Sequence, residues 1–353
     1  MNEIAFKYGQ QTISCPLADN GEILGFTEPV IEIEEQKFRS DFQTLMEGKS
    51  RWDNISIIVA DKTRLCGYDM ILPWVLDVLE EGGADPEKIT FYIAYGTHAP
   101  QSEEECISAY GPIYKRYRFV HHDCSREELF VSLGTTAKGT EVRVRKEIFD
   151  DALVITIGTI SHHYFAGYGG ARKLIFPGLA QKEAIYQNHR LFLDAQNHCL
   201  SKGCRPGNLE DNPLAADLKE IHDLLPGYLS IHAILNSQGK PAKYCFGKSY
   251  DDFLEVCCEL DTYYKHDGDK RYDMVLASAG GYPKDINMIQ AHKAIHNAAA
   301  LVKDGGTLIV FAECIDGIGS QTFLPYFEMG GWENTFSHLL DNYAGNGGTA
   351  LAM

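Results

Sequence analysis

Three runs constrain this chain more than any other feature: Ile55–Arg64 (ISIIVADKTR), Ile89–His98 (ITFYIAYGTH) and Ala152–His163 (ALVITIGTISHH). Each opens with near-continuous Ile, Val, Leu or aromatic residues and closes on polar ones. An apolar run without alternation fits a strand covered on both faces, as in a parallel sheet. Between the first two lies Tyr68–Lys88 (YDMILPWVLDVLEEGGADPEK), whose apolar spacing is helical and whose Gly82-Gly83 is a stop signal. Strand, helix, strand predicts a parallel α/β architecture. Ligands bind beyond the carboxyl ends of strands in such sheets. Those ends carry Asp61, Thr63 and Arg64 after the first run, His98 after the second, and His162 and His163 after the third.

The C-terminal part repeats the theme. Ser249–Arg271 reads as a helix and a polar turn, which places a boundary near 265–271. Tyr272–Asn287 is a strand entering a Gly-Pro loop. Met288–Gly306 is an amphipathic helix closed by Gly305, and Thr307–Cys314 is the next strand. The predicted fold is two α/β domains with largely parallel sheets, residues 1–268 and 269–353, and a site in the cleft between them. The closing GNGGTALAM reads as a glycine turn entering a helix, which leaves open a C-terminal domain that is truncated here.

Bulk properties narrow the function classes. At 353 residues, 44% hydrophobic and 23% charged, the chain can bury a sizeable core. No stretch reads as a membrane span. The opening MNEIAFKYGQQTISC lacks the basic and apolar regions of a signal peptide, so a cytoplasmic protein is expected. A net charge of −17 argues against nucleic acid as a partner. It also means that any small anionic ligand needs a locally basic pocket. The ten cysteines form no CxxC pair, which disfavours a thiolate zinc site, and disulfides are not expected.

Several residues could carry chemistry, each beside a plainer reading. His98 follows Gly96 and Thr97, and glycine permits close backbone approach to a ligand. Histidine also suits proton transfer near neutrality; the plainer role is a structural hydrogen bond. His162 and His163 diverge if the segment is extended, so at most one faces a ligand, and periodicity does not say which. Lys173 follows the small-residue run Gly167–Ala171 but matches neither a P-loop, since Leu174 follows it, nor GxGxxG. It is a phosphate-binding lysine, a covalent nucleophile or a surface residue. His189 is a lone helical histidine. Gln290 and Lys293 share a helix face behind Gly280, Gly281 and Pro283, which makes either a carboxylate site or a solvated face. His121, His122 and Asp123 end a strand and diverge, which disfavours a metal site there.

Taken together these residues resemble the nickel-dependent lactate racemase family. The resemblance runs in order through DxxR at Asp61–Arg64, GTH at His98, His163 with Lys173 ten residues on, Asn188-His189, GGYPKD at Gly280–Asp285, and QxxK at Gln290–Lys293. It implies a pyridinium-3-thioamide-5-thiocarboxylic acid mononucleotide joined to Lys173, with nickel held by the cofactor and by His189. Soft sulfur donors suit Ni(II). It further implies hydride removal from a 2-hydroxy acid, with His98 and His163 as the acid/base pair. Arg64, Gln290 and Lys293 would hold the substrate, and Asp61, Thr63, Arg64, Gly169 and Gly170 would meet the cofactor. Cofactor-building enzymes are implied partners; oligomeric state stays open. A hydride-shuttle oxidoreductase and a non-catalytic cofactor carrier are the alternatives. One departure stands out. The family's GYSGGxK reads Gly167-Tyr168-Gly169-Gly170-Ala171-Arg172-Lys173 here, with the paired glycines one place early. Arg172 is thereby set against the tether, to meet a phosphate or to face solvent.

Overall fold

The computed structural model describes residues 3–48, 53–150, 153–266 and 268–353. The chain forms two compact units: Thr27–Leu191 with Lys202–Tyr264, and Met1–Phe26 with Phe192–Ser201 and Lys265–Met353. No helix among the described residues is long and apolar enough to cross a membrane.

The larger unit is built on a six-stranded sheet. Its strands are β1 (Ile55–Ala60), β2 (Ile89–Ala94), β3 (Arg118–His121), β4 (Leu153–Thr159), β5 (Leu229–Leu235) and β6 (Pro241–Gly247). The order is β6-β5-β4-β1-β2-β3, with only the β5–β6 pair antiparallel. All six residues of β1 are buried, as are Leu153–Gly158 of β4. This is why these runs lack alternation: both faces are covered, and each buried Ile adds ~1.5–3 kcal/mol. The predicted helix after β1 is α1 (Tyr68–Glu81), ending at Gly82.

Strand order reverses between β1 and β4, so their carboxyl ends diverge. The ladder stops at Val59 and Ile157, and Tyr68 fills the gap. The Ala60 N–H donates to the Tyr68 hydroxyl, which donates to the Ile157 carbonyl, each at 2.6 Å. The Tyr110 hydroxyl caps the Ala60 carbonyl at 2.8 Å. Backbone groups that leave the sheet therefore stay satisfied without closing the crevice.

In the smaller unit, β7 (Tyr272–Ser278) and β8 (Val302–Phe311) pair in parallel. The helix expected to close at Gly305 spans only Met288–Ala299 and stops well before that glycine, which lies inside β8 at φ +76°. Val302 already pairs with Tyr272, and the register then jumps to Thr307 opposite Met274. The Lys303–Gly306 bulge makes the strand start early, and the glycine serves the bulge rather than a helix end.

Two buried histidines in the larger unit make its stability sensitive to acid. His122 donates from Nε2 to the Ala180 carbonyl (3.0 Å), and its buried Nδ1 has no partner. Nδ1 of His232 accepts the Ala171 N–H at 3.2 Å. Burial pushes both down from 6.5 to about 4. Between those values the unfolded chain binds more protons than the folded one, so stability rises with pH. The stabilisation is complete above about 6.5 and is lost as pH falls through 4. The urea midpoint should therefore drop steadily from pH 7 to pH 4.5, and His122→Leu should flatten that slope. An unchanged slope in the variant would rule out His122 as a source.

Candidate active site

Beyond the carboxyl ends of β1, β2 and β4 lies a cleft of about 160 Å³. Its lining includes Asp61, Arg64, His98, His163, Gly169, Gly170, Lys173 and His189, all from the larger unit. Eight of the eleven predicted site residues thus meet in one place. Thr63 does not line the cleft but hydrogen-bonds the lining residue Asp61. Gln290 and Lys293 lie on α4 (Met288–Ala299; numbered after α1, α2, Lys182–Arg190, and α3, Tyr250–Tyr264) in the smaller unit. There the Lys293 ammonium donates to Gln290 Oε1 at 2.7 Å.

Asp61 caps the turn after β1. Its Oδ1 accepts from the Thr63 N–H (2.8 Å) and hydroxyl (2.5 Å). Its Oδ2 accepts from His98 Nδ1 at 2.6 Å. Burial alone would raise this carboxyl. The His98 hydrogen bond and charge, with Arg64 and Thr63, outweigh burial and hold it at about 2. A carboxylate only accepts, so Nδ1 of His98 bears a hydrogen, which leaves Nε2 as the accepting nitrogen whenever the ring is neutral. Sequence reading gave Asp61 to the cofactor loop and missed this pairing. Both residues were marked as strand ends, and adjacency of β1 and β2 was the signal that joins them.

The two neighbouring histidines separate as extended backbone requires. His162 turns to Asp261, with Nε2 and Oδ1 2.8 Å apart, while His163 lines the cleft. Nδ1 of His163 accepts the N–H groups of Phe165 (3.2 Å) and Ala166 (3.0 Å). Its neutral ring therefore carries the hydrogen on Nε2, the opposite tautomer from His98.

Lys173 sits in the 3₁₀ turn Ala171–Leu174. Desolvation, with the Arg64 and Arg172 charges, holds its amine well below the usual lysine range. A neutral amine is a nucleophile. Ahead of it, Gly170 has φ +110°, and a Cβ there would lie 3.1 Å from Ile160 and 3.2 Å from Phe253, so only glycine fits. Arg172 does not face solvent. It is buried with its guanidinium 4.3 Å from the Phe253 ring centre, and its Nε and Nη2 make no hydrogen bond.

His189 is on α2, where its Nδ1 meets the Ile185 carbonyl at 2.7 Å. A carbonyl only accepts, so Nε2 holds the lone pair, the state a metal ligand needs. Burial, with the Lys173 charge, pushes the ring down to about 4, which keeps it neutral. Among the described residues no three His, Cys, Asp or Glu side chains gather as a metal site. A metal bound by His189 would thus take its other donors from a ligand. The Lys173 amine, the Nε2 lone pair of His189 and the glycine-lined wall would suit a nickel-carrying nucleotide.

An α/β protein with a polar cleft at the switch point of a mostly parallel sheet is the class that fold and site define. Residues 27–200 match the lactate racemase N-terminal domain and residues 268–342 the lactate racemase C-terminal domain. The chain belongs to the lactate racemase family. It is 31% identical over 81% of its length to a lactate racemase of Thermoanaerobacterium thermosaccharolyticum. It is 30% identical over 76% of its length to a lactate racemase of Lactiplantibacillus plantarum. The matches span 65% and 62% of those relatives, less than two thirds of either. The structure of the Thermoanaerobacterium lactate racemase apoprotein is similar over 99% of this chain and 85% of that one, with TM-score 0.87 and 26% identity. A Thermotoga maritima protein shares the fold at TM-score 0.68 and 15% identity, over 93% and 83% of the two chains.

Proposed function

We propose that this chain is a 2-hydroxyacid racemase or epimerase acting on lactate or a related acid. Its cofactor would be nickel with pyridinium-3-thioamide-5-thiocarboxylic acid mononucleotide, carried on Lys173. The observation that carries this reading is the meeting of the Asp61–His98 pair, His163, Lys173 and His189 in one cleft. A carrier that only stored the nucleotide has no use for a histidine poised by a buried carboxylate.

When bound, the nickel nucleotide supplies a reversible acceptor for the hydride at the substrate Cα. The protein handles the hydroxyl proton. His98 takes it at Nε2, and the Asp61 carboxylate stabilises the resulting imidazolium through Nδ1–H. His163 presents Nε2–H to the substrate oxygen. Arg64, Gln290 and Lys293 are the groups proposed for the substrate carboxylate; Arg64 supplies positive charge that the −17 chain otherwise lacks. Lys173 and His189 hold tether and metal, and Gly169 and Gly170 give a wall without side chains. The enzymes that build the nucleotide are the proposed partners, and the cytoplasm is the proposed setting.

The test is to produce the chain together with cofactor-building enzymes, then measure Lys173 peptide mass, bound nickel and chiral turnover over a panel of 2-hydroxy acids. The reading expects a modified Lys173, nickel and inversion of at least one acid. Bare lysine and no nickel, under conditions that load a lactate racemase relative, would sink it.

A further inference from the structure

His163 lies on a hairpin of two very short strands, His162–His163 and Gly167–Tyr168. Two residues per strand cannot hold a catalytic ring by ladder bonds alone. His162 and Tyr168 are directly opposite one another across this hairpin. Both reach the same side chain. His162 Nε2 and the Tyr168 hydroxyl each lie 2.8 Å from Asp261 Oδ1, and the hydroxyl is also 2.8 Å from Oδ2. Asp261 belongs to α3, which packs Phe253, Val256, Cys257 and Leu260 into a buried cluster with Ile160, Tyr168 and Ile234. One carboxylate on a firmly seated helix therefore ties both strands of the hairpin.

The turn between those strands supplies the Phe165 and Ala166 N–H groups that Nδ1 of His163 accepts. Those two bonds fix the ring's orientation and its tautomer. They persist only while the hairpin keeps its shape.

We propose that Asp261 is a positioning residue: by clamping His162 and Tyr168 it holds the hairpin so that His163 presents Nε2–H to the cleft. This rests on the reading of His163 as a group acting on substrate. Asp261 acts through the hairpin rather than on the reaction, and its side chain is only 19% exposed, enough to exclude water from most of the clamp.

The apoprotein tests the clamp without any turnover. Histidine ring nitrogens labelled with ¹⁵N report the tautomer directly, and His163→Gln assigns the signal. The parent should show His163 as an Nε2–H ring. Asp261→Ala should move it toward a mixture of tautomers, and Asp261→Asn, which keeps one accepting oxygen, should fall between. Tyr168→Phe removes one arm and serves if Asp261→Ala does not fold. In loaded enzyme, kcat should fall on the order of tenfold or more in Asp261→Ala. KM and the Lys173 adduct should hold. A His163 signal unchanged by both Asp261→Ala and Tyr168→Phe overturns the clamp. A changed signal with unchanged kcat upholds the clamp and instead removes His163 from the reaction.

Discussion

Lys173→Ala should give a folded protein that carries no adduct, binds no stoichiometric nickel and racemises nothing. The proposal gives Lys173 the one covalent bond to the cofactor, so no partial activity is expected. The fold should tolerate the change. The neighbours that act on this amine electrostatically, Arg64 and Arg172, are cations, so alanine breaks no ion pair with them. Thermal stability of the apoprotein should hold. Lys173→Arg should fail equally, because a permanently charged guanidinium is a poor nucleophile and carries its charge beside the same cations. Intact mass, nickel content and the chiral assay read all three outcomes. An adduct that persists in Lys173→Ala would place the tether elsewhere.

The second large effect concerns the pair that moves the proton. His98→Ala should lower kcat by on the order of 10²–10⁴ with the Lys173 adduct intact. Asp61→Asn should come close to it although the volume barely changes. The carboxylate accepts from Nδ1 of His98 at 2.6 Å and fixes the hydrogen there. An amide can donate to that nitrogen instead, which moves the hydrogen to Nε2 and removes the base. Thr63→Val takes one donor from the same carboxylate and should cost much less. Equal losses in Asp61→Asn and Thr63→Val would point to a collapsed turn rather than a wrong tautomer.

The sequence made the scaffold legible wherever burial is two-sided. The runs at Ile55, Ile89 and Leu153 could be read as strands because both faces of the sheet are covered, and their polar ends followed from the strand-end rule. What stayed hidden are pairings across long stretches of chain. Asp61 and His98 are 37 residues apart, and His162 and Asp261 are 99 apart. No local pattern chooses between His162 and His163 until a helix nearly a hundred residues later claims one of them. The opening hairpin, Glu3–Tyr8 with Gln11–Pro16, carried no signal at all. It joins the smaller unit through contacts such as the Gly9 N–H on the buried Asp285, 276 residues on. Arg172 does not face solvent, one of the two roles its sequence context offered, and a charged side chain stacked on Phe253 looks in sequence like any other arginine.

The opposite tautomers of His98 and His163 bear on how such a catalyst divides its effort. Interconversion of mirror images has an equilibrium constant of unity, so kcat/KM is bound to be the same in both directions. A lopsided pair of imidazoles cannot tilt the product ratio. It can only decide which enantiomer rests longer in the cleft: the form whose hydroxyl meets a ready acceptor turns over from a shallow well. Its mirror image, whose hydroxyl meets the Nε2–H of His163, waits in a deeper one. Handedness in this protein would be written into dwell times, while the final mixture stays even.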